Sequence, residues 1–263
     1  MKPLLVCSKS TRDFFPHQFE RVRIVDGPPQ KDILDEMGSE EEVVACGGGA
    51  VIDTAKILSK NPITCYPTTA SGSSATSWGV YWDGPNKHSC YRQKPNQVLF
   101  EESLMEGLPN DILINTTCDA ISHCFDSLNS TKATDESMQY ALQALMLLRE
   151  KEDKVKLLKA GHLAGCAIEI TGTNLLHCLS YPMTGHYGIS HGRALAWLLP
   201  KFAGFMGHGD NILDGLNVEL ENDINLDLIV DEALKYDKIH ESSITIDHII
   251  LKGLLDEKYT FTS

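Results

Sequence analysis

Residues 4–100 contain a series of short apolar runs, separated by turns rich in glycine, proline and hydroxyl side chains. Short runs of this kind are typical of strands buried in a parallel sheet. Between the third and fourth runs, apolar residues recur at helical spacing over Ala50–Lys60. The order strand, turn, helix, strand predicts an α/β nucleotide-binding domain with a parallel sheet. The predicted strands are Leu4–Cys7, Val22–Val25, Glu42–Cys46, Ile63–Tyr66 and Gln97–Phe100.

The pattern changes to long helical periods from about Thr117 onward. Over Glu136–Glu150, for example, apolar residues recur at the spacing of one helix face. A proline–asparagine pair at Pro109-Asn110 precedes the change and marks a boundary. We therefore predict an α/β nucleotide-binding domain over residues 1–109 and an all-α domain over residues 110–263.

A glycine triplet follows the third predicted strand. Gly47, Gly48 and Gly49 lead into the helix that carries Asp53. Glycines let backbone N–H groups approach a pyrophosphate closely, and a helix N-terminus adds partial positive charge. The triplet thus indicates dinucleotide binding, although three glycines alone are equally compatible with a plain turn. Asp53 alone could stabilise the helix dipole.

A second loop strengthens the nucleotide interpretation. The fourth predicted strand ends in a hydroxyl-rich segment that includes Thr68, Thr69 and Ser73. Hydroxyl groups donate hydrogen bonds to phosphate and ribose oxygens. Two such loops after neighbouring strands favour one shared ligand over two unrelated turns.

A possible metal site lies in the second half of the chain. Asp119 and His123 are four residues apart, so on a helix they share one face, and His177 and His191 follow downstream. One carboxylate and three imidazoles suit Fe(II) or Zn(II). Each histidine alone could be structural, and the Asp–His pair could be a surface hydrogen bond. The apolar segments around all four favour a site, because unpartnered polar groups are costly to bury.

Composition excludes several classes of function. The net charge of −13 argues against a nucleic-acid or anionic-membrane partner, since phosphate backbones attract Lys and Arg. No apolar run approaches the roughly 20 residues of a membrane helix, and the N-terminus does not resemble a signal peptide. The 8 cysteines include no C-x-x-C pair, which favours a reducing compartment. We expect a cytoplasmic protein.

Taken together, these motifs resemble the iron-containing (group III) alcohol dehydrogenase family, which has a dehydroquinate synthase-like fold. Gly47–Lys56 is similar to the family's G-G-G-S-x-x-D-x-x-K, with Ala50 in place of serine, and Pro67-Thr68-Thr69 is similar to its P-T-T loop. Asp119–His123 resembles its D-A-x-x-H. His177 and His191 fall at the two remaining ligand positions. The resemblance covers about residues 40–200.

The resemblance implies an NAD(P)-dependent alcohol dehydrogenase with iron, or alternatively zinc, bound by Asp119, His123, His177 and His191. It also implies that Lys87, following the next hairpin, reaches the cofactor together with Gly47–Gly49, Asp53, Thr68, Thr69 and Ser73. Because no basic residue is placed for a 2'-phosphate, NADH is favoured over NADPH. We expect a homo-oligomer, a dimer, acting on a small aldehyde or alcohol.

The segment after His177 resembles the branch of the family that includes phosphonoacetaldehyde reductases, with Tyr181 where most members have histidine. This similarity implies a small aldehyde that bears an anionic group, with Arg193, His186 and Lys87 as cationic candidates to hold it. Tyr181 and His186 are the candidate catalytic residues. Tyr181 could instead simply pack beside Pro182.

The chain departs from the family pattern in its hydroxyl-rich loop and at both ends. Ser74 stands where the family loop has glutamate, and the glycine triplet comes early, so we expect the opening strand and helix to be missing or compressed. The helical tail is also short. Two alternatives remain open: a family member that binds metal or nucleotide without turnover, and a dehydroquinate synthase-type lyase, which would need more substrate-binding lysines and arginines.

Overall fold

The computed structural model describes residues 2–15, 18–150, 153–207, 211–216, 218–220 and 223–256. Its N-terminal half contains a 5-stranded sheet in the order β2-β1-β3-β4-β7, in which every neighbouring pair is parallel. All five predicted strands are present, although the last is only two residues long. The strands are β1 (Leu4–Ser8), β2 (Arg21–Val25), β3 (Val43–Gly47), β4 (Thr64–Pro67) and β7 (Gln97–Val98).

An antiparallel hairpin separates β4 from β7 in the chain. It consists of β5 (Trp78–Asp83) and β6 (Asn86–Tyr91), and it forms a separate 2-stranded sheet. The hairpin packs on helix α1 (Gly49–Leu58), and a Cβ at Gly79 would lie 2.6 Å from the Ile57 side chain. Because real Cβ atoms do not approach this closely, a glycine at position 79 lets the hairpin lie against α1.

The described opening of the N-terminal half contains a strand and short 3-10 helices. Strand β1 is present, but single 3-10 helices, Arg12–Phe14 and Lys31–Glu36, connect β1 to β2 and β2 to β3. Among the described residues before 110, α1 is the sole α-helix. It covers the sheet face that carries Leu4 and Val6. The opposite face buries a smaller cluster around Leu5, Cys7 and Cys46, with Phe15, Phe19 and Tyr66 packed on it.

The second half of the chain is helical, as predicted, and begins with a helix at Asn110. Asparagine, threonine or aspartate side chains cap several helix N-termini, as Thr134 and Asp153 do. The boundary between the two predicted domains stays a prediction. The helices are α2 (Asn110–Leu128), α3 (Asp135–Leu148), α4 (Lys154–Thr171), α5 (Leu175–Tyr187), α6 (His191–Phe202), α7 (Leu226–Ala233) and α8 (His248–Leu255).

Helix α2 is the centre of the helical half. It packs against α3, α4, α5 and α6, and every residue from Thr116 to Ser127 is buried. Polar side chains on this stretch therefore need partners inside the protein. No helix in the described part of the chain is long and apolar enough to cross a membrane.

Candidate active site

A cavity of about 670 Å³ lies between the nucleotide-binding half and the helical half. Its wall includes the start of α1, the hydroxyl-rich loop after β4, one side of the hairpin, and residues from α2, α4, α5 and α6. The predicted metal ligands Asp119, His123, His177 and His191 all line it, as do Gly49, Asp53, Ser73 and Lys87. The sequence-predicted metal and nucleotide elements thus share one cavity.

The three predicted histidine ligands lie around one oxygen of the fourth, Asp119. Asp119 Oδ1 lies 3.5 Å from His123 Nε2, 3.5 Å from His177 Nε2 and 3.9 Å from His191 Nε2. Ligand atoms bound tetrahedrally to one ion at about 2.1 Å are separated by roughly 3.4 Å. Ligand atoms of Asp119, His177 and His191 all lie within 4.8 Å of one another. The spacing of these three ligand atoms fits a single divalent cation, and His123 Nε2 lies next to the Asp119 oxygen.

The hydrogen-bonding state of these atoms supports the same conclusion. Asp119 Oδ1 and His177 Nε2 are buried and have no hydrogen-bond partner among the described residues. Orphaned buried polar atoms are costly, and a cation placed among them would satisfy both. Gly72, with a φ of 77°, lets the hydroxyl-rich loop pass close by, since a Cβ there would meet His123 Cε1 at 3.3 Å.

Second-layer hydrogen bonds orient two of the imidazoles. His177 Nδ1 lies 2.8 Å from Asp126 Oδ2, and Asp126 also accepts hydrogen bonds from the backbone N–H groups of Asn174 and Leu176. Asp126 is the acceptor, so His177 Nδ1 donates to it, and Nε2 is the ring nitrogen that faces Asp119. His191 Nδ1 lies 3.1 Å from Ser180 Oγ.

Sequence reasoning missed Asp126. It lies seven residues after Asp119 on α2, and this spacing of about two helical turns places it on the ligand face. The signal was therefore present, but a carboxylate at this spacing does not by itself show whether it contacts the metal or a ligand.

The pKa shifts of Asp119, His123 and His191 favour the unprotonated forms that can bind a metal. Burial would raise the pKa of Asp119, but the neighbouring histidines hold it well below its usual range. Burial lowers the pKa of His123 to about 4 and takes that of His191 well below its ordinary value. Burial lowers the pKa of His177, but Asp119 and Asp126 outweigh burial and raise the pKa to about 9. Metal binding at His177 therefore displaces a proton.

The two predicted nucleotide loops face each other at the N-terminus of α1. A Cβ at Gly48 would meet Thr69 Oγ1 at 3.1 Å, and one at Gly49 would meet Ser71 Oγ at 3.0 Å. Both hydroxyl oxygens are buried and lack hydrogen-bond partners in the described part of the chain. Glycines here keep open a cradle lined by hydroxyls and by helix N–H groups, which fits a phosphate.

The other predicted nucleotide residues lie beside this cradle. Thr68 N–H donates to the Gly47 carbonyl at 3.1 Å, so these two residues join the loops rather than line the cavity. Asp53 lines the cavity and lies 3.1 Å from the ammonium of Lys56, and burial raises its pKa. Lys56 is buried and also donates to the carbonyl oxygen of Trp78, which ties α1 to the hairpin.

Lys87 is placed differently from the expectation. It belongs to β6, just after the hairpin turn, and does not follow the hairpin. Its Nζ lies 3.5 Å from His191 Nε2 and 4.7 Å from the centre of the Tyr181 ring. Lys87 therefore lies next to the candidate metal ligand His191 and lines the same cavity as the predicted cofactor-binding residues.

Tyr181 lines the cavity next to the cluster. Its ring stacks on that of His191, with centroids 5.9 Å apart. Lys238 Nζ donates to the Tyr181 hydroxyl at 2.6 Å, and Thr173 Oγ1 lies 3.2 Å from the same hydroxyl. Burial would raise the pKa of Tyr181, but Lys238 and Lys87 lower it to about 8.

Two of the predicted cationic candidates lie elsewhere. His186 is exposed in the last turn of α5 and does not line the cavity, so its predicted catalytic role is wrong. Arg193 donates to the Glu219 carbonyl and is also absent from the cavity wall. In their place the structure brings in Lys238, which sequence reasoning missed because it lies 57 residues from Tyr181 along the chain.

Comparison with known proteins agrees with this site. The profile of the Fe-containing alcohol dehydrogenase family, C-terminal, matches residues 113–219, which include all four candidate ligands. A phosphonoacetaldehyde reductase of Streptomyces viridochromogenes is 23% identical over 90% of this chain and 82% of its own length. A 1-propanol dehydrogenase of Salmonella typhimurium is 30% identical over 67% of this chain. The match covers about half (53%) of the length of that dehydrogenase.

Solved structures show the same fold. The iron-containing alcohol dehydrogenase of Thermotoga maritima superposes with a TM-score of 0.81 at 22% identity, covering 98% of this chain and 91% of that one. A sulfoacetaldehyde reductase of Bifidobacterium kashiwanohense, solved in complex with NAD+, gives a TM-score of 0.79 at 19% identity, covering 97% and 90%. The family resemblance and the fold class inferred from the sequence are thus confirmed. The chain belongs to the iron-containing alcohol dehydrogenase family of oxidoreductases.

Proposed function

We propose that this protein is a metal-dependent, NAD-linked reductase of a small aldehyde, with a phosphonate-bearing aldehyde as one candidate substrate. One observation carries the proposal. The four candidate metal ligands line the same cavity as the N-terminus of α1. A metal cluster and a phosphate cradle in one cavity are what hydride transfer to a polarised carbonyl requires.

Asp119, His123, His177 and His191 would hold the ion. We favour Fe(II), with Zn(II) as the alternative, because both accept a mixed nitrogen and oxygen ligand set. When bound, the ion polarises the carbonyl oxygen and the reduced nicotinamide supplies the hydride. Asp126 and Ser180 keep His177 and His191 in the required tautomers through their Nδ1 atoms.

The cofactor would lie along the loops that meet at α1. Gly48, Gly49, Thr69 and Ser73 would supply the phosphate cradle, Gly47 and Thr68 would join its two loops, and Asp53 and Lys87 would lie beside it. We favour NADH over NADPH because no basic residue next to the described phosphate cradle is placed to bind a 2'-phosphate.

Tyr181 is our candidate for the residue that delivers the proton to the product oxygen. Its ring lies on His191, and its hydroxyl is hydrogen-bonded to Lys238 and lies near Thr173. The proton would leave Tyr181 Oη for the developing alkoxide, and the Thr173 hydroxyl offers a path for its replacement.

The test is reduction of an aldehyde panel by the purified protein, loaded anaerobically with Fe(II) or Zn(II) and followed by NADH absorbance. We expect NADH oxidation that requires the metal and is lost in His191→Ala. His186→Ala, five residues away and outside the cavity, is the matched control and retains the activity. Metal binding without any NADH oxidation would reject the proposal in favour of a protein that binds without turnover.

A further inference from the structure

Lys238 occupies a part of the cavity wall that the reaction outlined above does not need. It lies in the 3-10 helix Asp237–Glu241, which belongs to the helical half, and it lines the cavity. Its ammonium donates to the Tyr181 hydroxyl at 2.6 Å and to Thr173 Oγ1 at 3.2 Å. An ammonium group has three N–H donors, so one donor remains available to a ligand.

Lys238 also differs from the other lysines nearby in its ion pairing. Lys235 pairs with Glu232, and Lys132, which also lines the cavity, pairs with Glu241. Within the described residues, no carboxylate lies within ion-pair distance of Lys238. The chain has a net charge of −13, so acidic groups are not scarce. A partly buried cation left without an anion points to an anionic ligand.

Tyr181 contacts both Lys238 and the candidate metal ligand His191. The ring face of Tyr181 stacks on His191, whereas its hydroxyl bonds to Lys238. A substrate with its carbonyl at the candidate metal site and its other end at Lys238 would therefore lie alongside Tyr181. A short aldehyde with a terminal charged group suits this arrangement.

We propose that Lys238, assisted by Thr173, binds the anionic end of the substrate and makes this protein selective for short aldehydes that end in a tetrahedral oxyanion such as phosphonate or sulfonate. The inference rests on the proposed function and assigns its specificity. Such an oxyanion has three acceptor oxygens, which can accept hydrogen bonds from the Lys238 ammonium and the Thr173 hydroxyl together.

The kinetic test compares two aldehydes of similar shape. Phosphonoacetaldehyde carries the oxyanion, and 3,3-dimethylbutanal replaces it by a neutral tetrahedral carbon. In Lys238→Met we expect the ratio of kcat/KM for phosphonoacetaldehyde over 3,3-dimethylbutanal to fall about 10- to 100-fold, as for loss of a charged hydrogen bond. The control Lys235→Met, on a lysine whose side chain is 66% exposed, retains the wild-type ratio. An unchanged ratio in Lys238→Met would overturn the assignment.

Thr173→Val provides a second variant in case Lys238→Met does not fold. It removes the assisting hydroxyl and leaves the lysine in place. We expect a smaller fall in the same ratio, roughly threefold, as for loss of a neutral hydrogen bond. A ratio equal to that of the wild type would count against Thr173 as a ligand of the oxyanion.

A binding measurement separates this inference from the proposed reaction. Isothermal titration of methylphosphonate into the protein loaded with metal and NAD+ needs no turnover. We expect Lys238→Met to weaken binding at least tenfold relative to wild type and to Lys235→Met. If the wild type reduces no aldehyde but methylphosphonate binding depends on Lys238, the reaction is wrong and the anion subsite stands. If aldehydes are reduced and Lys238→Met binds methylphosphonate like wild type, the subsite is wrong.

Discussion

At the scale of single residues, the candidate site is defined by buried polar atoms that have no hydrogen-bond partner among the described residues. Asp119 Oδ1 and His177 Nε2 are orphaned and buried at the cluster, whereas the opposite nitrogen of His177 is held by Asp126. The four candidate ligands could be proposed from the sequence because two of them share a helix turn and all belong to family motifs. Lys238 could not, because its distance to Tyr181 depends on how the C-terminal segment packs on α5.

Asp126→Asn tests the orientation of His177. The amide preserves the size of the side chain but removes the charge that fixes the imidazole tautomer. We expect metal affinity to fall about 10- to 100-fold, measured by competition with a chromophoric chelator. Asp111→Asn, on an exposed acid in the first turn of the same helix, serves as the control and binds metal as the wild type does. Equal affinities in the two variants would show that Asp126 has no role in metal binding.

Tyr181→Phe tests proton delivery. The substitution keeps the ring that stacks on His191 and removes only the hydroxyl. We expect kcat to fall about 100-fold, with little change in KM for a neutral aldehyde, because loss of a general acid slows the chemical step. A kcat within twofold of wild type would assign Tyr181 a packing role beside Pro182.

At the scale of elements, close backbone contacts hold the hydroxyl-rich loop against the helical half. A Cβ at Gly165 on α4 would lie 2.3 Å from the Gly72 carbonyl oxygen, and a Cβ at Gly161 would lie 2.4 Å from Ala70 Cα. The apolar runs predicted the parallel strands correctly; β1 and β3 are buried on both faces, whereas the edge strand β2 keeps its apolar residues although Val22 and Ile24 are exposed. The hairpin strand β6 was harder to recognise, since its exposed residues are polar and carry no alternating apolar signal.

Gly165→Ala would force α4 away from the loop. We expect the free energy of unfolding to drop by about 1–3 kcal/mol, as for overpacking in a well-packed interface, measured by denaturant titration. Cys166→Ala, the next residue on α4, removes atoms and adds none, so it should be less destabilising. If Gly165→Ala is as stable as wild type, the close contact between α4 and the loop is incorrect.

A bidentate ion pair stabilises the edge of the sheet. Arg21 on β2 donates to both carboxylate oxygens of Glu40, at 2.7 and 2.6 Å, and these hydrogen bonds lower the pKa of Glu40. The pair therefore stabilises the fold above the ordinary glutamate pKa, and this contribution is lost as the pH falls through the lowered value. Arg21 is 37% exposed, so solvent screens the pair.

Glu40→Gln measures that contribution. We expect the variant to unfold with about 0.5–1 kcal/mol less free energy than wild type at neutral pH. The difference should shrink towards zero as the pH is lowered below the folded-state pKa of Glu40. A difference that persists unchanged at acid pH would mean that the charge of Glu40 is not its cause.

At the scale of the whole molecule, the two halves contribute different components of one site. The N-terminal half supplies the candidate phosphate cradle and Lys87, and the helical half supplies the candidate metal ligands, Tyr181 and Lys238. Among the described residues before β3, the strands of the sheet are connected by 3-10 helices. Formation of a homo-oligomer remains a prediction, and sedimentation velocity at several protein concentrations would test it.

The most direct test of the account is an anaerobic titration of metal-free protein with Fe(II), in which the rate of NADH oxidation by phosphonoacetaldehyde is recorded at each addition. We predict that the rate rises in proportion to added metal, reaches a plateau at one ion per chain, and stays at background in His191→Ala. NADH oxidation of equal rate in the metal-free protein, or none at one bound ion per chain, would contradict the account.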